Sequence, residues 1–377
     1  MNIAFFANPS DNHDCKWINR LSQEHKCIII CPQAETNKEE YLCNERVKVY
    51  NTLPNTYPIQ NPSLLKQSKK QLLQLLEEEA IDICHSMYAY TNVYWPVLAE
   101  FKNHVLTTRG SDILVDMEQK LRTGNSIKEK LIHFLLRKSM IKALRKVACI
   151  TSTSSRQNEV IKKYLKQPEK AKVIRTGIDL NKLDRWITES TSPCKEPYLF
   201  SARSMAPIYN IELVLEGFAL FAQTHPAYKL ILLDDRGETY YATTIKEMVK
   251  NHQLEDSIIY LKHLSLNKMI ACYQHSQATI MVPHSDGTPN TGLEAMYCKS
   301  PLVIGNLPYD NDLFNKNTCY KLSSNDAQVL AEKIKKAIED PNQAKVLMQA
   351  KQTVVENADL KNSLIEINRL YKSLSHS

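Results

Sequence analysis

Apolar residues fall into short runs near 2–7, 27–32, 81–85, 104–108, 147–152 and 171–175, each the length of a strand. Between these runs they recur at helical spacing over 13–23, 64–79, 92–101, 127–146 and 154–165. This alternation predicts a parallel sheet with crossover helices. A stretch rich in Ser, Thr and Pro, Thr188-Glu-Ser-Thr-Ser-Pro-Cys-Lys-Glu-Pro197, interrupts the pattern and reads as a linker. The alternation then resumes, with strands expected at 198–202, 229–234, 257–261, 278–283 and 301–304 and helices near 210–223, 240–251, 265–275, 291–299 and 325–338. Two doubly wound α/β units are therefore expected, a first domain over 1–190 and a second over 191–358, with the ligand site in the cleft between them. The end of the chain, 341–375, reads as paired helices, and the helix of 359–377 is expected to pack back onto the first domain.

With 377 residues and 43% hydrophobic content, the chain can build two cores. No apolar run reaches the roughly 18 to 20 residues of a membrane span, and the opening Met-Asn-Ile-Ala-Phe-Phe-Ala does not read as a signal peptide, so a cytoplasmic protein is expected. Ten cysteines are scattered without a C-x-x-C pair, the pattern of reduced, partly buried thiols. Cys27 and Cys31 share one face of a strand and read as core. The eleven histidines show no metal-ligand spacing, and neither a metal nor a cofactor is expected. The net charge of +7 suits phosphates, nucleic acid or an anionic membrane, and the sign does not choose among them. Only eight glycines occur, against an average of about 7%, so each is expected where glycine has a conformational or steric purpose.

The most informative segment follows the strand at 278–283 and runs His284-Ser-Asp-Gly-Thr-Pro-Asn-Thr-Gly-Leu-Glu-Ala-Met296. Two acids, Asp286 and Glu294, flank a loop with two glycines, and Glu294 is expected in the first turn of a helix. Backbone N–H groups and a helix dipole can hold a diphosphate there while carboxylates accept from sugar hydroxyls. The same residues also fit a plain Asp-Gly turn and a Thr291-x-x-Glu294 capping box.

This stretch resembles the acidic donor-site motif of glycosyltransferase family four, in which two acids flank seven residues and Glu-Ala-Met follows. Four more segments match that family in order: Arg109-Gly-Ser-Asp112, Ile174-Arg-Thr-Gly-Ile-Asp179, Tyr198-Leu-Phe-Ser-Ala-Arg203 and Pro301-Leu-Val-Ile304. The resemblance covers nearly the whole chain. It implies a GT-B fold, two Rossmann-like domains facing a cleft, and transfer of a sugar from a nucleoside diphosphate to a glycan or lipid-linked acceptor with retained configuration. It implies that Glu294 holds the nucleotide ribose, that Asp286 contacts hydroxyls of the transferred sugar, and that backbone groups of Thr291, Gly292 and Leu293 cradle the diphosphate. Arg203 would neutralise the leaving phosphates. Gly287, Thr288 and Asn290 complete the expected donor loop, and Asp286 and Arg203 are the expected catalytic pair.

Three positions depart from the family. Asp286 stands where Glu is usual. Tyr209-Asn210 replaces a Lys-Gly, so a second cationic phosphate contact is missing, with Arg236 and Lys262 as candidates and Tyr209 offering one hydrogen bond. Tyr-Asn here, together with Ser-Asp-Gly-Thr before Glu-Ala-Met, resembles a subgroup of the family. Arg109 replaces a His and stays protonated, which excludes a general-base role. It would hold a phosphate or serve the fold. Ser10, His13, Arg109 and Asp112 are expected at the acceptor side of the cleft, with helix capping or packing an equal reading of His13.

The loop Asn8-Pro-Ser-Asp-Asn-His13 carries no glycine, which argues against a dinucleotide-binding dehydrogenase. Asp310-Asn-Asp312 reads as an acidic turn. Residues 120–146 hold nine Lys or Arg against Glu129, with apolar residues at helical spacing. That segment fits either a core helix with a solvated basic face or a helix lying on anionic lipid at the inner face of the membrane. No nucleic-acid module accompanies the charge. An epimerase or hydrolase on the same fold, and an inactive scaffold that binds a partner, are the rival readings.

Overall fold

A computed structural model describes the chain except residues 33–41, 43, 55–61, 188, 189, 235–237, 263, 376 and 377. The chain divides into two compact units, Met1–Thr176 with Ser363–Ser377, and Gly177–Asn362. The division falls ahead of the expected linker. The physical reason is a helix that the apolar pattern did not single out, Leu180–Ile187, whose Leu180 and Leu183 are buried in the core of the second unit.

The first unit runs β1 (Asn2–Phe6), α1 (Asn12–Leu21), β2 (Lys26–Pro32), β3 (Lys48–Leu53), α2 (Pro62–Glu78), β4 (Ile83–Met87), α3 (Thr91–Leu98), β5 (His104–Thr108), a π-helical turn (Ser111–Met117), α4 (Ile127–Lys146), β6 (Cys149–Ser152), α5 (Ser155–Lys162) and β7 (Ala171–Val173). Its sheet, among the described residues, has the order β3-β2-β1-β4-β5-β6-β7, and every pairing is parallel. Helices cover both faces, which is why β1, β4 and β5 read as continuous apolar runs. Local signals start the helices: the carboxylate of Asp11 accepts from the amides of His13 and Asp14, and the hydroxyls of Ser126 and Ser154 cap α4 and α5.

The second unit runs α6 (Leu180–Ile187), β8 (Tyr198–Ser204), α7 (Ile211–Ala222), β9 (Lys229–Leu233), α8 (Thr239–Asn251), β10 (Ile258–Leu261), α9 (Leu266–His275), β11 (Ala278–Met281), α10 (Asn290–Tyr297), β12 (Leu302–Ile304), β13 (Tyr320–Lys321), α11 (Ala327–Glu339) and α12 (Gln343–Asn357). Its strand order, β10-β9-β8-β11-β12-β13, is again wholly parallel. Gly217 in α7 lets α11 approach closely, since a Cβ there would stand 2.6 Å from Leu330 Cδ2. The last helix, α13 (Leu360–Ser375), starts in the second unit and continues into the first. Gly177, at φ +68°, lies so near it that a Cβ would meet the Leu360 nitrogen at 2.7 Å, and Ile178 bridges to Asp359 beside it.

The order of strands reverses between β1 and β4 in the first unit and between β8 and β11 in the second. Loops beyond the carboxyl ends of such a pair splay apart and leave a crevice for a ligand.

Candidate active site

In the second unit the residues singled out in sequence come from both sides of that reversal. Arg203 is near the end of β8, and the loop that follows β11 carries Asp286 and leads into α10. Arg203 Nη2 donates to Asp286 Oδ2 at 2.7 Å, and its Nη1 donates to Thr291 Oγ1 at 3.0 Å. The guanidinium lies 4.0 Å from the centroid of the Tyr209 ring. Tyr209 ends a single 3-10 turn, Pro207–Tyr209, tied to the donor loop by the His284 amide donating to the Ile208 carbonyl at 2.9 Å. Asn210, at φ 54°, turns the chain into α7. Tyr209 thus stacks on Arg203 and adds no charge.

Burial pushes the Asp286 carboxyl above its usual range, and the Arg203 guanidinium and the Gly287 amide, which donates to Oδ1 at 2.8 Å, pull it back. Glu294 sits in the second turn of α10, not the first, so the capping-box reading is not realised: Pro289 holds the cap position and no side chain caps the helix. Glu294 Oε2 instead accepts from Tyr273 Oη at 3.1 Å. The amides of Gly292 and Leu293 both donate to the Pro289 carbonyl at 3.1 Å, so two of the three amides expected to cradle a diphosphate already have partners. The Leu293 side chain is buried in the core, and a Cβ on Gly292 would make only ordinary contacts, nearest 3.4 Å. Packing alone does not require glycine at 292. Thr288 and Asn290 complete the loop into α10.

Lys262 pairs with Asp234 at 3.5 Å, a carboxylate it shares with Lys246 at 2.9 Å. Arg236 lies outside the described residues. Two tyrosines that sequence reasoning missed belong to the site. Tyr273 is fully buried on α9 beside Glu294. Tyr309, in the loop after β12, is raised in pKa by burial and then by the charge of Asp286. Tyr309 Oη and Arg203 Nε are both buried without a hydrogen-bond partner among the described residues. Tyr309 had one sequence signal, its position just beyond a parallel strand, and Tyr273, late in α9, had none.

In the first unit, Arg109 follows β5 and reaches toward the loop after β1. Its guanidinium pairs with Asp11 Oδ1 at 3.1 Å and with Asp14. Arg109 is thus ion-paired to the loop after β1 and to the first turn of α1, and of its two expected roles this pairing is the one within the first unit. Asp112 is fully buried, and its carboxylate accepts from the amides of Ala89, Arg109, Gly110 and Ile113 at 2.9 to 3.1 Å. It holds the turn at Gly110, where φ is 113°, and is not exposed to a substrate. Ser10 is half-buried and its amide donates to Asn8 Oδ1, while His13 is exposed at the start of α1. Beside them, after β4, Tyr88 and Tyr90 hold φ of 84° and 91°, a conformation rare for aromatic residues and invisible in sequence. Tyr88 Oη donates to Asp116 Oδ2 at 2.8 Å.

Residues 2–154 match the family model Glycosyl transferase 4-like, and residues 184–354 match Glycosyl transferases group 1. Among curated proteins, the chain is similar to the O-antigen chain mannosyltransferase of Salmonella typhimurium, 24% identical over 61% of this chain and 65% of that protein. It is similar also to the alpha-monoglucosyldiacylglycerol synthase of Streptococcus pneumoniae, 25% identical over 52% of this chain and 48% of that protein. The matched stretches therefore span less than two thirds of those relatives. Among solved structures, an Anabaena protein crystallised with UDP superposes with a TM-score of 0.78 at 16% identity, covering 99% of this chain and 100% of that one. That likeness shows the fold, two Rossmann-like units of the GT-B kind. With one family model on each half, the chain belongs to the GT-B glycosyltransferases, a 4-like N-terminal half joined to a group 1 C-terminal half.

Proposed function

We propose that the chain transfers a hexose-type sugar from a nucleoside diphosphate to a glycan or lipid-linked acceptor, with retention of anomeric configuration. The observation that carries this reading is Arg203, brought by β8 against Asp286 and Thr291 from the loop after β11, with a buried Nε left to donate. A nucleoside diphosphate leaving group gains negative charge as the glycosidic bond breaks, and a fixed guanidinium stabilises that charge best when it need not reorganise. Here Tyr209, Asp286 and Thr291 fix it from three sides. Asp286, half-buried and acceptor-only when ionised, would take hydrogen bonds from sugar hydroxyls. Glu294 would take the ribose hydroxyls. The leaving phosphate would receive the acceptor proton, which agrees with an Arg at 109 that cannot act as a base. Arg203 supplies the positive charge at the diphosphate in this scheme. The UDP complex of the Anabaena structure makes UDP-sugars the first donors to try.

Calorimetric titration with a panel of nucleotide sugars tests the proposal. One donor should bind, and Arg203→Ala and Glu294→Ala should each weaken it by roughly 10- to 100-fold, as loss of a charged hydrogen bond does. Undiminished turnover in Glu294→Ala with an unchanged melting curve would overturn the site. Donor consumption without an added acceptor would point to the hydrolase or epimerase reading.

A further inference from the structure

The helix α4 (Ile127–Lys146) is apolar on two opposite faces. Its inner face, Leu136, Met140, Ala143 and Leu144, is buried in the first unit. Its outer stripe begins with Ile127, Leu131, Phe134 and Leu135, at positions i, i+4, i+7 and i+8. These large side chains are exposed by 88%, 59%, 61% and 43%. No other ten-residue stretch of described residues exposes so many large apolar side chains. The same stripe continues as Lys138, Lys142 and Arg145, which border a shallow groove with Phe134, Leu135 and Ile141. Lys128, Lys130 and Lys146 flank it.

Among the described residues the charge on this face is not cancelled. Lys120 pairs with Asp116, and Arg122 and Arg137 pair with Glu118, so the cations before and beneath the stripe are neutralised. The lysines of the outer face form no ion pair among the described residues. The one acid of α4, Glu129, is used at its own helix start: Ser126 Oγ accepts from the Glu129 amide at 3.1 Å and Glu129 Oε2 accepts from the Asn125 amide at 2.6 Å.

We propose that the outer face of α4 docks on an anionic lipid bilayer, with Ile127, Leu131, Phe134 and Leu135 entering the headgroup boundary and the lysines meeting lipid phosphates. The occupant follows from complementarity. A second copy would set one row of cations against another, whereas an anionic bilayer offers both an apolar layer and negative charge to a helix about 30 Å long lying flat. No helix among the described residues is long and apolar enough to cross a membrane, so α4 would lie on the surface. This inference does not depend on the transfer reading, because it concerns the first unit and is measured without donor.

The full chain is mixed with sedimenting vesicles of phosphatidylcholine, with and without about one quarter phosphatidylglycerol. Binding should require the anionic lipid and weaken with salt. Lys138→Glu with Lys142→Glu should weaken it on the order of tenfold or more, and Leu131→Ser with Phe134→Ser should do likewise. All four side chains are exposed, so circular dichroism and nucleotide-sugar titration should match the wild type. Absence of vesicle binding, equal binding to neutral vesicles, or binding unchanged by both double variants would overturn the proposal. So would a concentration-dependent dimer, seen by analytical ultracentrifugation, that the Leu131 and Phe134 substitutions dissolve.

Discussion

At the scale of single residues, Tyr209 carries the most information, because it stands where the family resemblance expects a lysine. A phenol cannot replace an ammonium charge, but its ring 4.0 Å from the Arg203 guanidinium can hold that charge in place. If stacking is what Tyr209 contributes, its hydroxyl is dispensable. Tyr209→Phe should then keep donor affinity within about twofold, while Tyr209→Ala should weaken it about tenfold, the loss of a partly desolvated cation–π contact. Calorimetry on both variants decides, and an equal loss in both would mean instead that the hydroxyl donates to the ligand. Residues such as Arg203 and Asp286 were legible in sequence because motif spacing marks them. Tyr273 and Tyr309 were not, since each reaches the site through tertiary packing from a separate element, and nothing local distinguishes either from a core tyrosine.

At the scale of elements, the neighbouring strands β4 and β5 each bury one histidine in the interior of the first unit, on opposite faces of the sheet. His85 lies between Tyr371 Oη at 2.5 Å and Thr107 Oγ1 at 2.7 Å, and His104 Nε2 bonds Ser86 Oγ at 2.8 Å. Burial pushes both imidazoles down to about 3, from 6.5 in the unfolded chain, with the charge of His104 adding to the effect on His85. The folded state keeps both neutral. Below pH 6.5 the unfolded chain takes up protons that the folded chain refuses, so stability is complete above that pH and falls as pH drops toward 3. The loss should reach roughly 1.4 kcal/mol per pH unit for each histidine. Urea unfolding followed by the fluorescence of the buried Trp17 and Trp95 measures it, and His85→Gln should roughly halve the slope. A stability flat between pH 7 and 4 would refute the argument. The strands that carry these histidines were legible as apolar runs. The elements missed include the short helix α6, β3, whose Lys-Val-Tyr-Asn-Thr-Leu is polar because it lies at the sheet edge, the two-residue β13, and the π-helical turn built around buried Asp112. Their form is set by neighbours in space.

At the scale of the whole molecule, the chain passes from the first unit to the second once and returns once, and the returning segment is the start of α13. Beyond Asn362 this helix belongs to the first unit, where Ile367 and Tyr371 are fully buried and Leu370 nearly so. Tyr371 meets His85, and His25 Nε2 bonds Asn368 Oδ1 at 2.7 Å. The first unit is therefore completed by the last residues of the chain, after the second unit has been made. Burial of three such side chains contributes roughly 5 to 8 kcal/mol, a large share of the 5 to 15 kcal/mol typical of a whole domain. Ending the chain after Asn362 should leave the first unit largely unfolded while the second, whose core draws on none of those residues, keeps its sheet and the Arg203 cluster. Tyr371→Phe is the milder test. It strands a ring nitrogen of His85 in a dry interior, at a cost of about 1 to 3 kcal/mol. Differential scanning calorimetry should show one of two transitions moving down in Tyr371→Phe, with nucleotide-sugar affinity in the second unit unchanged. If both transitions moved together, or if truncation abolished nucleotide binding, the two cores would not be separate folding units, and the assignment of α13 to the first alone would fall.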